Sequence, residues 1–398
     1  MREVVVVAAA RTPFAKFGGA LKNKKAVELG ALAIKEVMNR GRVDPKMIDY
    51  LYYGQVIQAG SGQIPSRQAG IKAGLPNEVP SITVNKVCSS GIVTCGMAYQ
   101  MIAAGFLDMA IGGGMESMSN APFALPDMRW GARMGIPKKD VLDLMVSDGL
   151  WCAFYNRHMA VHGSEVAKEF GVKRDEQDLW ALRSQNLAEK AILAGKMGDE
   201  IFPVVIEGRN ACRFEVDEAP RFGCTYQDLE KLPILFSEDG TVTAGNAPST
   251  NDGASAVLLA SREKAEQLDL PILATVVDYA QVSREPKYIA TVPGISIRKV
   301  LEQNHLTHQD MQIIEINEAF AAVALISGEK ILGMNKKEMD TKVNVNGGAI
   351  AYGHPIGATG GRIVATAIYE LRRRGGGYAV CGICSGAAQG DALLLKVE

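Results

Sequence analysis

Apolar and polar positions along this chain alternate between two rhythms. Val4–Ala9 is an unbroken apolar run, the pattern of a strand buried on both faces. In Ala26–Asn39, Val27, Leu29, Leu32, Ile34, Val37 and Met38 recur at helical spacing, which predicts a helix. Tyr50–Ile57 and Ile82–Val84 read as strands, Ser90–Ala104 as a helix, and Met109–Ile111 as a strand closed by Gly112, Gly113 and Gly114. Such alternation predicts an α/β fold with helices on the sheet faces. From about Ser117 to Gly245 the rhythm loosens. Pro, Met, Trp and Arg crowd Pro122–Pro137, Lys138 and Lys139 add charge, and Glu176–Lys196 reads as a helix amid loop-like sequence. This stretch reads as an insertion over the core, and long irregular insertions in compact domains are usually functional. Alternation then resumes. Ala254–Ala260, Leu273–Ala280, Ile313–Ile316, Lys342–Val345, Tyr378–Cys384 and Ala392–Val397 read as strands, and Asn317–Ile331 and Gly357–Arg373 as helices.

The two ends of the chain repeat one order. Tyr50–Met115 runs strand, helix, a Val84-Asn85 step, a Gly/Ser-rich turn with a reactive residue, helix, strand and glycines. Ile313–Gly390 runs strand, helix, a Val345-Asn346 step, a Gly-rich turn with a reactive residue, helix, strand and small residues. A duplicated α/β half places its two turns symmetrically at strand ends, where ligands of open α/β sheets bind. A length of 398 residues calls for two or more domains. The net charge of −1 argues against a nucleic-acid binder working by bulk electrostatics. Seven cysteines without a repeating framework imply reduced thiols, and so a cytoplasmic home. The N-terminal apolar run is too short for a signal peptide. No apolar stretch approaches the ~20 residues of a membrane span, so no membrane partner is expected.

Three separated segments carry reactive side chains among small residues: Cys88 with Ser89, Ser90 and Gly91; His354 between Gly353 and Pro355-Ile356-Gly357; and Cys384 with Ser385 and Gly386. A cysteine with a spatially adjacent histidine is the arrangement of an activated thiolate nucleophile. Each residue alone also has a plain structural reading, a free cysteine as a small buried hydrophobe and a lone histidine as a structural group. Cys381 and Cys384 form a Cys-x-x-Cys, but a redox motif should open a helix, and here the pair lies in an expected strand. Cys95, Cys152, Cys212 and Cys224 form no pairs at zinc spacing, so no metal is expected.

Together the segments resemble the thiolase family. Asn85-Lys86-Val87-Cys88-Ser89-Ser90-Gly91 resembles its nucleophile segment and Asn317-Glu318-Ala319-Phe320 its Asn-Glu-Ala-Phe segment. Asn346-Gly347-Gly348-Ala349 with Gly353-His354-Pro355 resembles its histidine segment, and Cys384-Ser385-Gly386 its second-cysteine segment. Thr241–Ala247 and Asn251–Ala254 complete the set. The resemblance implies a thiolase-like α/β fold of two related βαβαβαββ halves forming a layered core. It divides the chain into an N-terminal half (1–116 and 246–270), an inserted loop domain (117–245) and a C-terminal half (271–398).

It further implies acyl transfer between coenzyme A thioesters through an acyl-cysteine, in a homotetramer built as a dimer of dimers. No tightly bound cofactor is implied; acetyl-CoA, acetoacetyl-CoA and CoA are substrates. Cys88 would be the nucleophile, its position before a helix N-terminus favouring the thiolate. His354 would accept its proton, and Cys384 would move the proton at the substrate Cα. Asn317 would orient a water in one oxyanion hole with His354, and the Cys88 and Gly386 N–H groups would form the other. Asn317 has a plain reading as the N-cap of the helix that follows it, a role that can coexist with the functional one favoured here. Arg221 would meet the nucleotide end of coenzyme A and Ser249 the pantetheine arm. His158, Met159 and Leu150 would line the arm and acyl pocket, with Phe236 and Phe320 at the acyl end; for His158, Met159 and the phenylalanines, core packing is the plain reading. The loop Ala247-Pro248-Ser249-Thr250 departs from the family pattern of serine directly after the alanine. Ile289 stands where short-chain members often carry methionine. The expectation is acetyl-CoA/acetoacetyl-CoA interconversion, with a degradative 3-ketoacyl-CoA thiolase of fatty-acid metabolism as the alternative.

Overall fold

A computed structural model of the chain describes residues 1–131, 134, 140–208 and 211–398. The Lys138–Lys139 pair lies outside them. One ten-stranded sheet carries the architecture, nine strands in line and the short Ala15–Lys16 paired to Asn251–Ser261 off that line. On its N-terminal side the strands lie side by side in the order Val4–Arg11, Asn251–Ser261, Met109–Ser117, Tyr50–Gly54, Ser81–Val84. On its C-terminal side the order is Ala274–Ser283, Gln389–Val397, Gly377–Ser385, Met311–Ile316. In both, the first strand in chain order pairs antiparallel with the last, the last antiparallel with the one before it, and that one parallel with the second. The sides meet at a short seam in which Val4–Val6 pair with Ala274–Val276.

Burial sets the layering. Helices Ser90–Ala103 and Thr359–Arg373 pack on each other and on both sides of the sheet, so they form a middle layer. Their apolar faces, with Ile92, Ala98, Ile363 and Ile368, are fully buried there. Helix Ala26–Gly41 covers the N-terminal outer face and Val292–Gln303 the C-terminal one. The result is a five-layered α/β stack. The intervening chain adds helices Met159–Glu169 and Arg174–Leu193 and three two-stranded hairpins. Two buried polar ties fasten it down. Arg11, fully buried, pairs with Glu200 at 2.6 Å and Asp217 at 2.7 Å. The Glu318 carboxylate accepts from Trp180 Nε1 (2.9 Å), Ser184 Oγ (2.8 Å), Asn344 Nδ2 (3.0 Å) and Ile350 N (3.0 Å). Each unites elements that have no covalent reason to meet, and breaking one partner would leave a buried charge uncompensated.

Several expectations change. The Met109 strand runs through its glycines to Ser117 rather than ending at them. Those glycines are where other elements press on the sheet: a Cβ at Gly112 would lie 2.9 Å from the Cys95 backbone, and one at Gly114 would lie 2.1 Å from Gly357 O. Lys342–Val345 is not a strand; only Val343 makes an isolated bridge, to Ile314. The helix expected from Asn317 begins at Ala321, capped at Phe320, and continues as a π-helical turn, Ile326–Ile331. Asn317 is therefore not an N-cap. Cys381 and Cys384 sit three apart on one strand and so face opposite layers, Cys381 in the middle core and Cys384 in the C-terminal outer core. They form no dithiol pair.

Candidate active site

The nucleophile segment links a strand to a helix by a tight turn. Strand Ser81–Val84 ends, and helix Ser90–Ala103 begins six residues later. Between them Val87 is held at φ +46°, an uncommon conformation for a β-branched residue. Local hydrogen bonds enforce it: Val87 N–H donates to Asn85 Oδ1 at 3.0 Å, and Ser90 Oγ donates to Val87 O at 2.7 Å. The turn's carbonyls at Lys86 and Val87 take the Ser89 and Ser90 N–H groups, while the Cys88 N–H faces its own sulfur. Backbone strain at such a place marks a functional constraint.

Cys88, His354 and Gly386 line one cavity of about 340 Å³. All seven residues expected along the coenzyme and acyl path line the same cavity: Leu150, His158, Met159, Arg221, Phe236, Ser249 and Phe320. Cys384 and Asn317 lie behind this lining, both fully buried. Cys384 is close enough to Cys88 to feel its charge; burial first, then Cys88, pushes the Cys384 thiol well above the ordinary range. Asn317 Nδ2 stands 3.5 Å from His354 Nε2, and Asn317 Oδ1 is buried with no partner among the described residues.

The histidine's tautomer follows from its neighbours. Thr359 Oγ1 donates to Pro355 O at 3.0 Å, so it accepts from His354 Nδ1–H at 2.6 Å. That leaves His354 Nε2 as the acceptor nitrogen, with Asn317 Nδ2 3.5 Å from it. Burial, reinforced by Arg362, pushes the imidazole down to about 3, so it is neutral at working pH. Burial, with a contribution from Glu116, likewise pushes the Cys88 thiol up to about 12, although its own N–H favours the anion. This runs against the helix N-terminus, whose expected effect is to favour the thiolate. Desolvation wins over the helix end, and the resting pair is thiol beside neutral imidazole.

The coenzyme-side residues are less buried. Ser249 is exposed and donates to Asn251 Oδ1 at 2.9 Å, and Asn251 Oδ1 also accepts the His354 N–H at 2.9 Å. Thr250 lines the cavity as well. Arg221 is exposed at the rim, with one guanidinium N–H on Ala244 O at 3.1 Å. His158 caps helix Met159–Glu169 through Nδ1, which accepts from Ala160 N at 3.1 Å, and stacks on Phe236 at 3.7 Å. Phe236 is 57% exposed at φ +63°, so it is a wall of the cavity rather than core packing. Met159 and Phe320 are buried and face the same space, where Ile289 also lies. Sequence reasoning missed Met118 and Leu235 in the lining and gave no role to Thr359, Asn251 or Glu116. Only their cross-chain contacts reveal them.

The comparisons with known proteins agree with this geometry. Residues 4–263 match the family model "Thiolase, N-terminal domain" and residues 270–397 match "Thiolase, C-terminal domain". The chain belongs to the thiolase family. It is 45% identical over 398 residues, 100% of both chains, to "Acetyl-CoA acetyltransferase" of Cupriavidus necator. It is 44% identical over 396 residues to the protein of that name from Syntrophomonas wolfei, covering 99% of each chain. It is 43% identical over 397 residues to "Probable acetyl-CoA acetyltransferase" of Escherichia coli, covering 100% of this chain and 99% of the relative. Among the described residues no helix is long and apolar enough to cross a membrane, and no group of His, Cys, Asp and Glu could hold a metal ion.

Proposed function

We propose that this enzyme interconverts two acetyl-CoA with acetoacetyl-CoA and CoA through an acetyl group on Cys88. The observation that carries the reading is the cavity itself: a cysteine on a strained turn, sharing a narrow apolar space with a neutral histidine whose Nε2 is unprotonated. As the Cys88 sulfur attacks the thioester carbon, its proton passes to His354 Nε2. The carbon–sulfur bond to coenzyme A breaks, and the departing sulfur takes that proton. Because both resting partners are neutral, proton transfer is coupled to attack, and charge appears only then, as imidazolium on His354 and as the oxyanion that is held. The Cys88 and Gly386 N–H groups hold the oxyanion on the acetyl being transferred. Asn317, through a water beside His354, holds the thioester oxygen of the second acetyl-CoA. Cys384 relays that molecule's α proton: it passes its own proton to the departing Cys88 sulfur and takes the α proton in its place, while the enolate carbon bonds to the acetyl carbon and the carbon–sulfur bond to Cys88 breaks. In reverse, Cys384 gives the proton back to the departing carbon. Its strongly raised thiol suits a group that must hold the proton at rest.

Arg221 meets the nucleotide end, Ser249 the pantetheine arm, and Leu150, His158 and Met159 the arm and acyl group. Phe236 and Phe320 close the acyl end. The named activity of the full-length relatives supports the short-chain reading, and no observation favours the degradative one. The repeated strand order supports two halves, 1–116 with 246–270 and 271–398, around an insertion at 117–245. Exposed Phe123, Leu125 and Trp130 on the insertion supply apolar surface for a homotetramer. Seven free cysteines fit the cytoplasm. The test is a thiolysis series. An extra methylene against a fitted apolar wall changes discrimination by ~1–3 kcal/mol. Acetoacetyl-CoA should exceed 3-ketohexanoyl-CoA about tenfold or more in kcat/KM. Equal values for four- and eight-carbon substrates would refute the short-chain assignment.

A further inference from the structure

The repeated topology places one residue of each half at the same point. Gly114 pairs with Gly54 on the N-terminal side, as Gly382 pairs with Ile316 on the C-terminal side. Two residues beyond each glycine stand Glu116 and Cys384. One residue beyond Gly54 and Ile316 stand Gln55 and Asn317. Both amides are fully buried, and each has an oxygen without a partner among the described residues, Gln55 Oε1 and Asn317 Oδ1. The N-terminal side thus carries a glutamate and an amide where the C-terminal side carries the second cysteine and its amide.

Glu116 is fully buried, and all its hydrogen bonds come from backbone. Oε2 accepts Val56 N–H at 3.0 Å and Gly357 N–H at 3.0 Å, and Oε1 accepts Ile57 N–H at 3.2 Å. Gln55 Nε2 closes the same turn on Ile57 O at 2.9 Å. Gly357 belongs to the histidine segment, three residues after His354. It docks so closely that a Cβ there would lie 2.6 Å from Met115 O and 2.9 Å from Glu116 Oε2. A carboxylate suits this place because it only accepts, and three N–H groups converge on it.

We propose that Glu116 is a positioning residue: its carboxylate grips the histidine segment and so sets His354 against Cys88. The half that carries the nucleophile thereby fixes the base supplied by the other half. This rests on the roles given above to Cys88 and His354.

Glu116→Gln keeps the shape but turns an NH2 group toward at least one backbone N–H, donor against donor. The experiment measures thiolysis kcat and KM, melting temperature, and the rate at which iodoacetamide alkylates Cys88 at a fixed pH more than a unit above about 7, where the Glu116 carboxyl is ionised. A displacement of about 1 Å at a catalytic group costs on the order of 10²-fold. The expected result is a kcat lowered about tenfold or more with KM little changed, and slower alkylation of Cys88. The sign of the alkylation change is decisive. The Glu116 charge raises the Cys88 thiol, so charge removal alone would speed alkylation. Unchanged or faster alkylation with unchanged kcat overturns the proposal, even if the protein melts earlier. Should the glutamine variant fail to fold, Gly357→Ala strains the same contact and must show the same kcat loss and slowed alkylation; if it does not, the proposal fails. Failure of the underlying reading looks different: wild-type enzyme would then carry no acetyl group on Cys88.

Discussion

Replacing Thr359 by valine removes one oxygen and keeps the side chain's shape. Thr359 is fully buried, and its hydroxyl is the acceptor that holds the proton on His354 Nδ1 at 2.6 Å. Without it, that N–H is buried and unpaired, which costs ~1–3 kcal/mol. The imidazole escapes this cost by moving its proton to Nε2, the nitrogen that must accept from Cys88. Each ~1.4 kcal/mol is a tenfold change in the tautomer ratio, so the competent form falls on the order of 5- to 150-fold. The assay is burst acetylation of Cys88 by acetyl-CoA in single turnover, with circular dichroism to confirm folding. Thr359→Val should slow acetylation by about tenfold or more, and Thr359→Ser, which keeps the hydroxyl, should restore most of it. Wild-type acetylation by the valine variant would refute the tautomer assignment.

Gly114→Ala drives a Cβ to 2.1 Å from Gly357 O, so the histidine segment must retreat by about 1 Å; kcat should fall on the order of 10²-fold, whereas Gly198→Ala, with open space around it, should leave kcat unchanged. Cys384→Ser should still acetylate Cys88 yet lose condensation by ~10²–10⁴-fold, while Cys381→Ser, in the other layer, should be nearly silent; kinetic assays of both half-reactions separate the two. The fully buried Glu116 carboxyl is pushed up to about 7, mainly by burial. Its folded form binds the proton more tightly than the unfolded chain, so its contribution to stability declines as pH rises from the ordinary carboxylate range through about 7. A tenfold difference in proton affinity is worth ~1.4 kcal/mol, so the full decline is about 3 kcal/mol. Chemical denaturation of wild type and Glu116→Gln should show the difference moving in favour of the variant between about pH 5 and 8, and a pH-independent difference would contradict that burial cost.

The reactive residues were legible in the sequence because glycine, serine and proline around Cys88, His354 and Cys384 mark turns that present a side chain. Periodicity found most strands and the central helices. It misread places where neighbouring elements override local preference. Gly112–Gly114 look like a strand end, yet they are small because Cys95 and Gly357 press against the strand. Helix Val292–Gln303 is not picked out at all; it opens with Val-Pro-Gly, and Pro293 sits in the first turn, where its missing N–H costs nothing. Asn317 looked like a cap because its strand-to-helix link was read as shorter than it is. Sequence shows a helix N-terminus that favours the thiolate but not the burial that outweighs it. Glu116, Asn251 and Thr359 carry no local signature, since their work lies in contacts with segments 100 or more residues away for the first two and in a tautomer for the third.

The central claim is that one cysteine, Cys88, carries the acetyl group. Peptide mass spectrometry of the enzyme quenched after brief exposure to acetyl-CoA tests it directly. A single acetyl group on the peptide containing Cys88, absent from Cys88→Ser and discharged by added CoA, is the expected result. An acetyl group on Cys384, or none on any cysteine while turnover proceeds, would contradict it.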